Sequence, residues 1–378
     1  MLKFLAIFLS LYSAMHALFY FRVRVLLPER RSIKVLFIFF LVLMISAPVI
    51  CRLLEKNGNE ILARYVAIIG FNWTGFIFIA FCGVLLMLII DLCFWGLNHF
   101  TRINLPLLTG KLPALILIGI VISLCFYGYF ESRNIKSEHF LIETHKLPIG
   151  TDRLKIVQIS DVHLGLITRD KLLKKIIAKI QPENPDILIC TGDLIDGLSG
   201  NLSKNSKSLK QIRTRFGKYA VTGNHEYYTG LRQALEFIQR SGFSVLRGEA
   251  RTINAALNIV GVDDHAINNF TRETILLSSV QNGLFTLFLK HRPLVLDASL
   301  GLFDLQLSGH THGGQIFPFN YLVSLQYPFP AGLHKLQKGS KLYTSRGSGT
   351  WGPQIRLLAP PEITVIDLVS RRKASKFR

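Results

Sequence analysis

Four long apolar runs, at roughly residues 4–21, 35–51, 66–95 and 113–130, constrain this chain more than any other feature. Crossing a bilayer core ~30 Å thick takes about 20 helical residues at ~1.5 Å each, and runs of this length and composition are suited to it. Up to residue 130 the only acids are Glu29, Glu55, Glu60 and Asp91, whereas the remainder has the mixed composition of a water-soluble α/β protein. The 378 residues leave room for a large domain beside the spans, since single domains commonly take about 100–200. The first run follows Lys3 as a signal peptide would. No small-residue cleavage site closes it, however, and three further runs follow, so all four read as an anchor.

Orientation follows from the basic residues. The first loop holds Arg22, Arg24, Arg30, Arg31 and Lys34 against Glu29 alone, which makes it cytoplasmic and, with four spans, puts the soluble part outside. Arg52, Lys56 and Arg64 in the second loop, and Arg133 and Lys136 after the last run, pull the other way. A break near Asn72 in the long third run would add a fifth span and reverse the answer. Asp91 is the one acid within a run; near a span end it reads as an interfacial residue rather than a functional intramembrane carboxylate. Trp73, Trp95, Tyr127 and Tyr129 read as interface anchors.

The net charge is +20, and residues 131–378 hold 33 Lys and Arg against 20 Asp and Glu, or about +13. A basic domain tethered to a bilayer is drawn to anionic headgroups or phosphorylated substrates. Nucleic acid is not the expected partner, because the basic residues are spread widely with few aromatics between them to stack on bases. The five cysteines form neither a disulfide framework nor a CxxC zinc site, and read as core or lipid-facing residues.

Along the soluble part, His139–Thr144 reads as a first strand, and the β-branched run Leu154–Ile159 as a second that ends in Ser-Asp-x-His, delivering Asp161 and His163. Residues 169–180 have helical spacing, with Leu172, Leu173, Ile176, Ile177 and Ile180 on one stripe and four lysines opposite as a solvated face. The run 185–191 is another buried strand, closed by Gly192-Asp193-Leu194-Ile195-Asp196. Residues 198–210, rich in Ser, Asn and Lys, read as a mobile surface loop. Lys218–Thr222 leads into Gly223-Asn224-His225-Glu226, Leu284–Leu289 into His291, and Leu305–Leu307 into Gly309-His310-Thr311-His312. A lone H-x-H is more often a surface turn than a metal site. Here five strand ends each carry Asp, Asn or His, and strand–helix–strand order points to parallel sheets with these side chains along one edge.

D-x-H, G-D-x-x-D, G-N-H-E, a strand-terminal His and G-H-x-H, in this order, resemble the calcineurin-like metallophosphoesterases, in particular their membrane-anchored bacterial branch. The resemblance spans about residues 150–370 and extends to Gly261-Val262-Asp263-Asp264, Ser345-Arg346-Gly347, and Arg356 with Pro361-Glu362. It implies an α/β fold, a two-sheet sandwich flanked by helices (αββα), after an all-α transmembrane region. The organisation expected is a membrane region 1–130, a tether and first strand 131–150, the phosphoesterase domain 151–370, and a basic tail 371–378.

The resemblance also implies two divalent metal ions, of manganese, zinc or iron. Asp161, His163 and His312 would hold one, Asn224, His291 and His310 the other, and Asp193 would bridge. Metal-bound hydroxide would then cleave a phosphodiester or pyrophosphate bond, with His225 near the leaving group and Asp196 orienting it. Glu226 is expected to support its loop. Asp263 and Asp264 fit an outer layer or a turn equally well, and Arg346 and Arg356 either a substrate phosphate or structural ion pairs. His139, His145, His265 and His334 fit no motif. The expected partners are the membrane and a phosphorylated small molecule or lipid-linked substrate. A nuclease with the same metal core, or a scaffold that has lost its ligands, are the alternatives; all seven ligands being present argues against the scaffold.

Overall fold

The computed structural model describes residues 2–101, 103–197, 202–264 and 270–371. Packing divides the chain into two units, Met1–Phe130 with Gly352–Ile355, and Glu131–Trp351 with Arg356–Arg378. The apolar runs form α1 (Leu2–Val23), α2 (Arg31–Lys56), α3 (Glu60–Phe100) and α4 (Lys111–Glu131). All four are long and apolar enough to cross a membrane. α3 is continuous through Asn72, whose amide donates to the Ile68 carbonyl one turn back at 2.7 Å. The break that would have made a fifth span is therefore absent.

Asp91, expected at a water interface, pairs with Arg22 at 2.9 Å and accepts the Leu108 N–H at 2.5 Å. It ties α3 to α1 and to the α3–α4 connection. Trp73, expected as an interface anchor, is tied to a neighbouring helix. Its indole N–H donates to His16 Nε2 at 2.8 Å, while His16 Nδ1 donates to the Tyr12 carbonyl at 2.7 Å. An indole with such a partner inside the bundle has no need of the water interface. Trp95, Tyr127 and Tyr129 are exposed.

The second unit is built on two six-stranded sheets. In the first, the order is β1 (Lys136–Thr144), β12 (Glu362–Ser370), β2 (Arg153–Ile159), β3 (Ile187–Cys190), β4 (Lys218–Ala220) and β5 (Ser244–Val245). In the second it is β10 (Gly332–Lys335), β11 (Lys341–Thr344), β9 (Leu305–Ser308), β8 (Phe285–Leu289), β7 (Leu257–Gly261) and β6 (Glu249–Ile253). Strands β2 to β5 run parallel, as do β7, β8, β9 and β11; β6 and β10 pair antiparallel at the edges of the second sheet.

Central strands buried on both faces must be apolar at successive positions, and these are. Leu154 and Ile156 of β2 face the interior between the sheets with Ile187, Ile189, Leu287 and Leu305. Val157 and Ile159 face the other way, onto Leu173, Ile176 and Ile180 of α5 (Asp170–Ile180), Leu209 of α6 (Leu202–Lys210), and Phe237 and Ile238 of α8 (Leu231–Arg240). Val260 and Phe288 meet Leu277 of α9 (Phe270–Ser278) beyond the second sheet. The result is the expected two mixed sheets flanked by helices.

The loop expected over 198–210 is corrected in part: 198–201 lie outside the described residues, but Leu202–Lys210 is α6. Its buried Leu209, with Leu202 beside it, joins the core against α5 and α8, and that packing overrides a polar composition. Of the basic tail, 372–378 lie outside the described residues, as does His265.

Candidate metal centre

All five motifs leave the carboxyl ends of parallel strands, so both sheets deliver polar side chains to one edge of the sandwich. Asp161 and His163 follow β2, and Asp193 and Asp196 follow β3. Asn224 and His225 open α7 (Asn224–Thr229) after β4, His291 follows β8, and His310 and His312 follow β9. Asp161, His163, Asp193, His310 and His312 have φ between 52° and 72°, left-handed conformations that L side chains seldom adopt. Gly192, at φ 97°, lets the chain pass where a Cβ would meet His291 Nδ1 at 2.7 Å.

Ligand-type atoms fall into overlapping groups. Asp161, His163 and His312 converge within 4.8 Å of one another, as do Asp193, His291 and His310. A third such group joins Asp193 and His163 to His225. Nε2 of His163 faces Nε2 of His312 at 3.1 Å, and Nδ1 of His310 faces Nε2 of His291 at 3.2 Å. Such a pair of imidazole nitrogens closes either around one shared proton or, with both nitrogens unprotonated, around a cation. Asn224 Oδ1 is buried without a hydrogen-bond partner among the described residues, an expensive state for an amide oxygen unless a ligand completes it. These donors, neutral nitrogens and oxygens with carboxylates beside them, suit divalent cations.

The surroundings orient the rings. His291 Nδ1 donates to the Thr191 carbonyl at 2.7 Å, which turns its Nε2 toward Asp193, 3.3 Å away. Tyr327 OH lies 3.0 Å from His310 Nε2, the nitrogen turned away from His291. Asp161 accepts the Ser160 hydroxyl at 2.5 Å and the His310 N–H at 3.0 Å. Glu226 accepts the backbone N–H groups of Gly223, Asp193 and Leu194 at 2.7, 2.9 and 2.8 Å, stitching the loops after β3 and β4 together.

Burial, then the charge on His225, lowers His163 to about 4, and burial with His291 lowers His310 to about 3. Burial and Arg356 hold His312 well below its ordinary value. These three rings are neutral, as donors to a cation must be. Burial opposes charge on Asp193, yet His291, His225 and His163 outweigh it and keep this carboxyl well below its usual range. His291 is the counterpart: burial is overcome by Asp193 and Asp161, which lift it to about 10. Burial raises Asp161 to about 6. His225 donates from Nδ1 to Asp196 at 2.5 Å; against burial, Asp196 and Asp193 lift it to about 9.

The structure thus brings together all nine residues singled out in the sequence. The residues left open in the sequence have partners of their own. Asp264 holds Arg292 through two hydrogen bonds of 2.8 and 3.0 Å, and Asp263 holds Arg247 and Thr222. Arg346 pairs with Glu138 and Glu362, and fully buried Arg356 donates to the carbonyls of His312, Arg346 and Ala359. His139 lies 3.4 Å from Glu183, His145 3.4 Å from Arg371, and His334 2.9 Å from the Ala331 carbonyl, all apart from the centre. Missed in the sequence are Tyr327, and the rings of Tyr228 and Trp351, which flank His225 at centroid distances of 5.3 and 5.8 Å. No local motif marks them.

A helix-flanked double sheet with three overlapping Asp/His groups at its strand ends is the arrangement of a metal-dependent phosphoesterase. Residues 154–314 match the family model of the calcineurin-like phosphoesterases. An uncharacterized metallophosphoesterase of Aquifex aeolicus is 40% identical over 255 residues, 66% of this chain and 97% of its own. The uncharacterized metallophosphoesterase YkuE of Bacillus subtilis is 35% identical over 65% of this chain and 90% of its own. A transmembrane protein with metallophosphoesterase domain from Bos taurus is 33% identical over 60% of this chain and 55% of its own. The chain belongs to the calcineurin-like phosphoesterase family; it is a membrane protein whose enzymatic centre takes two divalent metal ions.

Proposed function

We propose that this chain is a multi-pass membrane phosphohydrolase that cleaves a phosphodiester or pyrophosphate bond in a lipid-linked substrate. Asp161, His163 and His312 would hold one ion, Asn224, His291 and His310 the other, with Asp193 available to both. The observation that carries the proposal is what is left over: with seven ligands assigned, His225 still points into the same space, held from behind by Asp196. When bound, the two ions supply Lewis acidity that activates water and offsets charge on the phosphoryl oxygens.

The chain's own residues do the rest. Asp196 accepts from Nδ1 and, with Asp193, keeps His225 as the imidazolium, so Nε2 also bears a proton, which can pass to the leaving oxygen. Tyr228 and Trp351 flank this imidazole with apolar rings and limit the water around it. Asp193 accepts the His225 backbone N–H at 2.9 Å, coupling the position of the proton donor to that of the central carboxylate. A lipid-linked substrate is supported by the four membrane-length helices in the same chain and by the excess of 33 basic over 20 acidic residues beyond residue 130. The basic first loop supports an external catalytic unit, which labelling of intact cells with a membrane-impermeant reagent checks.

The purified full chain in lipid nanodiscs should hydrolyse an activated diester with added Mn²⁺ and stop on chelation, and Asp193→Asn should be inactive. Activity surviving both treatments would sink the dimetal mechanism. In cells without the protein a lipid-linked diester or pyrophosphate should accumulate. Unchanged lipid pools beside an active purified enzyme would refute the lipid assignment alone.

A further inference from the structure

Residues 305–334 contain no Asp, Glu, Lys or Arg, although residues 131–378 as a whole carry 53 such side chains, 33 basic and 20 acidic. Within this stretch lies α10 (Phe319–Gln326), which has no buried residue at all. Tyr321, Leu322 and Leu325 stand on one face, at spacings of one, three and four residues, and are 65%, 57% and 83% exposed. Phe317 and Phe319 extend the patch. Single exposed apolar residues are ordinary, but a contiguous aromatic and aliphatic face without a charge marks a surface that something covers.

Both ends of α10 are tied to the loop bearing His310 and His312. At its start, Gly314 packs so closely on Asn320 that a Cβ there would collide with the Asn320 backbone. Beyond its end, Tyr327 OH lies 3.0 Å from His310 Nε2, and the Thr311 hydroxyl donates to the Pro330 carbonyl at 2.6 Å. Whatever α10 rests on is therefore presented to the metal centre.

The occupant is named by the rest of the chain. Four helices are long and apolar enough to cross a bilayer, and only Ser132 to Ile135 separate the last of them from β1. Four extended residues span at most ~14 Å, so the catalytic unit works beside that bilayer. A short uncharged face of Tyr, Phe and Leu has the composition of a segment lying in the headgroup layer, and the basic excess of this unit draws it to anionic lipid. We infer that α10 is a membrane-docking helix: Tyr321, Leu322 and Leu325 enter the interfacial layer and hold the His310–His312 loop where a lipid phosphate presents its scissile bond. The docking stands independently; only its consequence for turnover rests on the phosphohydrolase reading above.

The test uses the full chain in nanodiscs of phosphatidylcholine and phosphatidylglycerol. A nitroxide is placed by Leu325→Cys, with Arg240→Cys at the exposed C-terminal end of α8 as control, in a background lacking the five native cysteines. At position 325 molecular oxygen should collide with the label more often than a water-soluble nickel chelate, and at 240 the order should reverse. A water-like label at 325, or one that neither reagent reaches because protein covers it, overturns the inference. Independently of cysteine replacement, the Leu322→Asp/Leu325→Asp chain should raise KM for a bilayer-embedded diester about tenfold or more, with kcat/KM for a water-soluble diester unchanged. No change, or equal loss on both substrates, counts against docking. If the parent chain turns over neither substrate, the phosphohydrolase reading has failed and the nitroxide measurement decides docking alone.

Discussion

Five residues of the candidate metal centre in left-handed backbone are an accumulation of local strain, each position costing about 1 kcal/mol or more. The strain persists because the flanking backbone is fixed: Asp161 N–H donates to the Gly192 carbonyl and His163 N–H to the Asp193 carbonyl, both at 3.0 Å. Gly309 is the tightest point, since a Cβ there would collide with Ser160 Oγ and Asp161 Oδ2. Gly309→Ala should displace the following histidines and leave fewer than two metal ions per chain by elemental analysis, while the far-ultraviolet dichroism stays unchanged. Full occupancy in that variant would show the contact to be slack. Tyr327→Phe removes the hydroxyl beside His310 Nε2 and should weaken metal uptake about tenfold or more; unchanged affinity in isothermal titration would exclude this role. His310 was legible because its motif is local, whereas Tyr327 reaches it across 17 residues and a helix, and nothing in the intervening sequence announces that return.

At the scale of elements, Glu226 sits at the start of α7 and satisfies the N–H groups of Gly223, Asp193 and Leu194. Burial and then the charge of Asp193 raise its carboxyl to about 7. Glu226→Ala would strand those buried donors, and with roughly 1–3 kcal/mol for each unsatisfied group the stability loss, read by urea denaturation, should exceed that of an exposed substitution such as Glu236→Ala. Equal midpoints would refute the stitching role. Leu287→Ala, between the sheets, should cost about 2–5 kcal/mol in the same assay. The long strands and α5 were readable because period and burial agree within them. α6 was not, because its helical state depends on Leu209 meeting residues of α5 and α8 that are far away in sequence. Trp73 misled for the same reason: its partner His16 lies 57 residues earlier.

For the whole molecule, the change of composition near residue 130 was the most legible feature, and it separates two stabilities as well as two architectures. Ligands that bind only the folded state raise its stability by about 2.7 kcal/mol at a hundred times Kd. Chelation should therefore lower the calorimetric transition of the catalytic unit in the full chain and leave that of the helical unit in place. A single transition shifting as one would instead make the two units one cooperative body. The sandwich could be anticipated from the order of motifs, but the β10 edge and the α10 face could not, since an uncharged apolar stretch such as 305–334 reads equally as buried core.

His310 and His312 belong to one short loop, yet they face different partners, His291 on one side and His163 on the other. A loop that serves two positions cannot be ordered for one while it stays loose for the other. Filling either position prepares the second, so uptake should be sigmoidal with metal concentration, and the half-filled enzyme should be the rarest of its three states. Across a narrow range of metal supply the protein would then pass from idle to working almost as a switch.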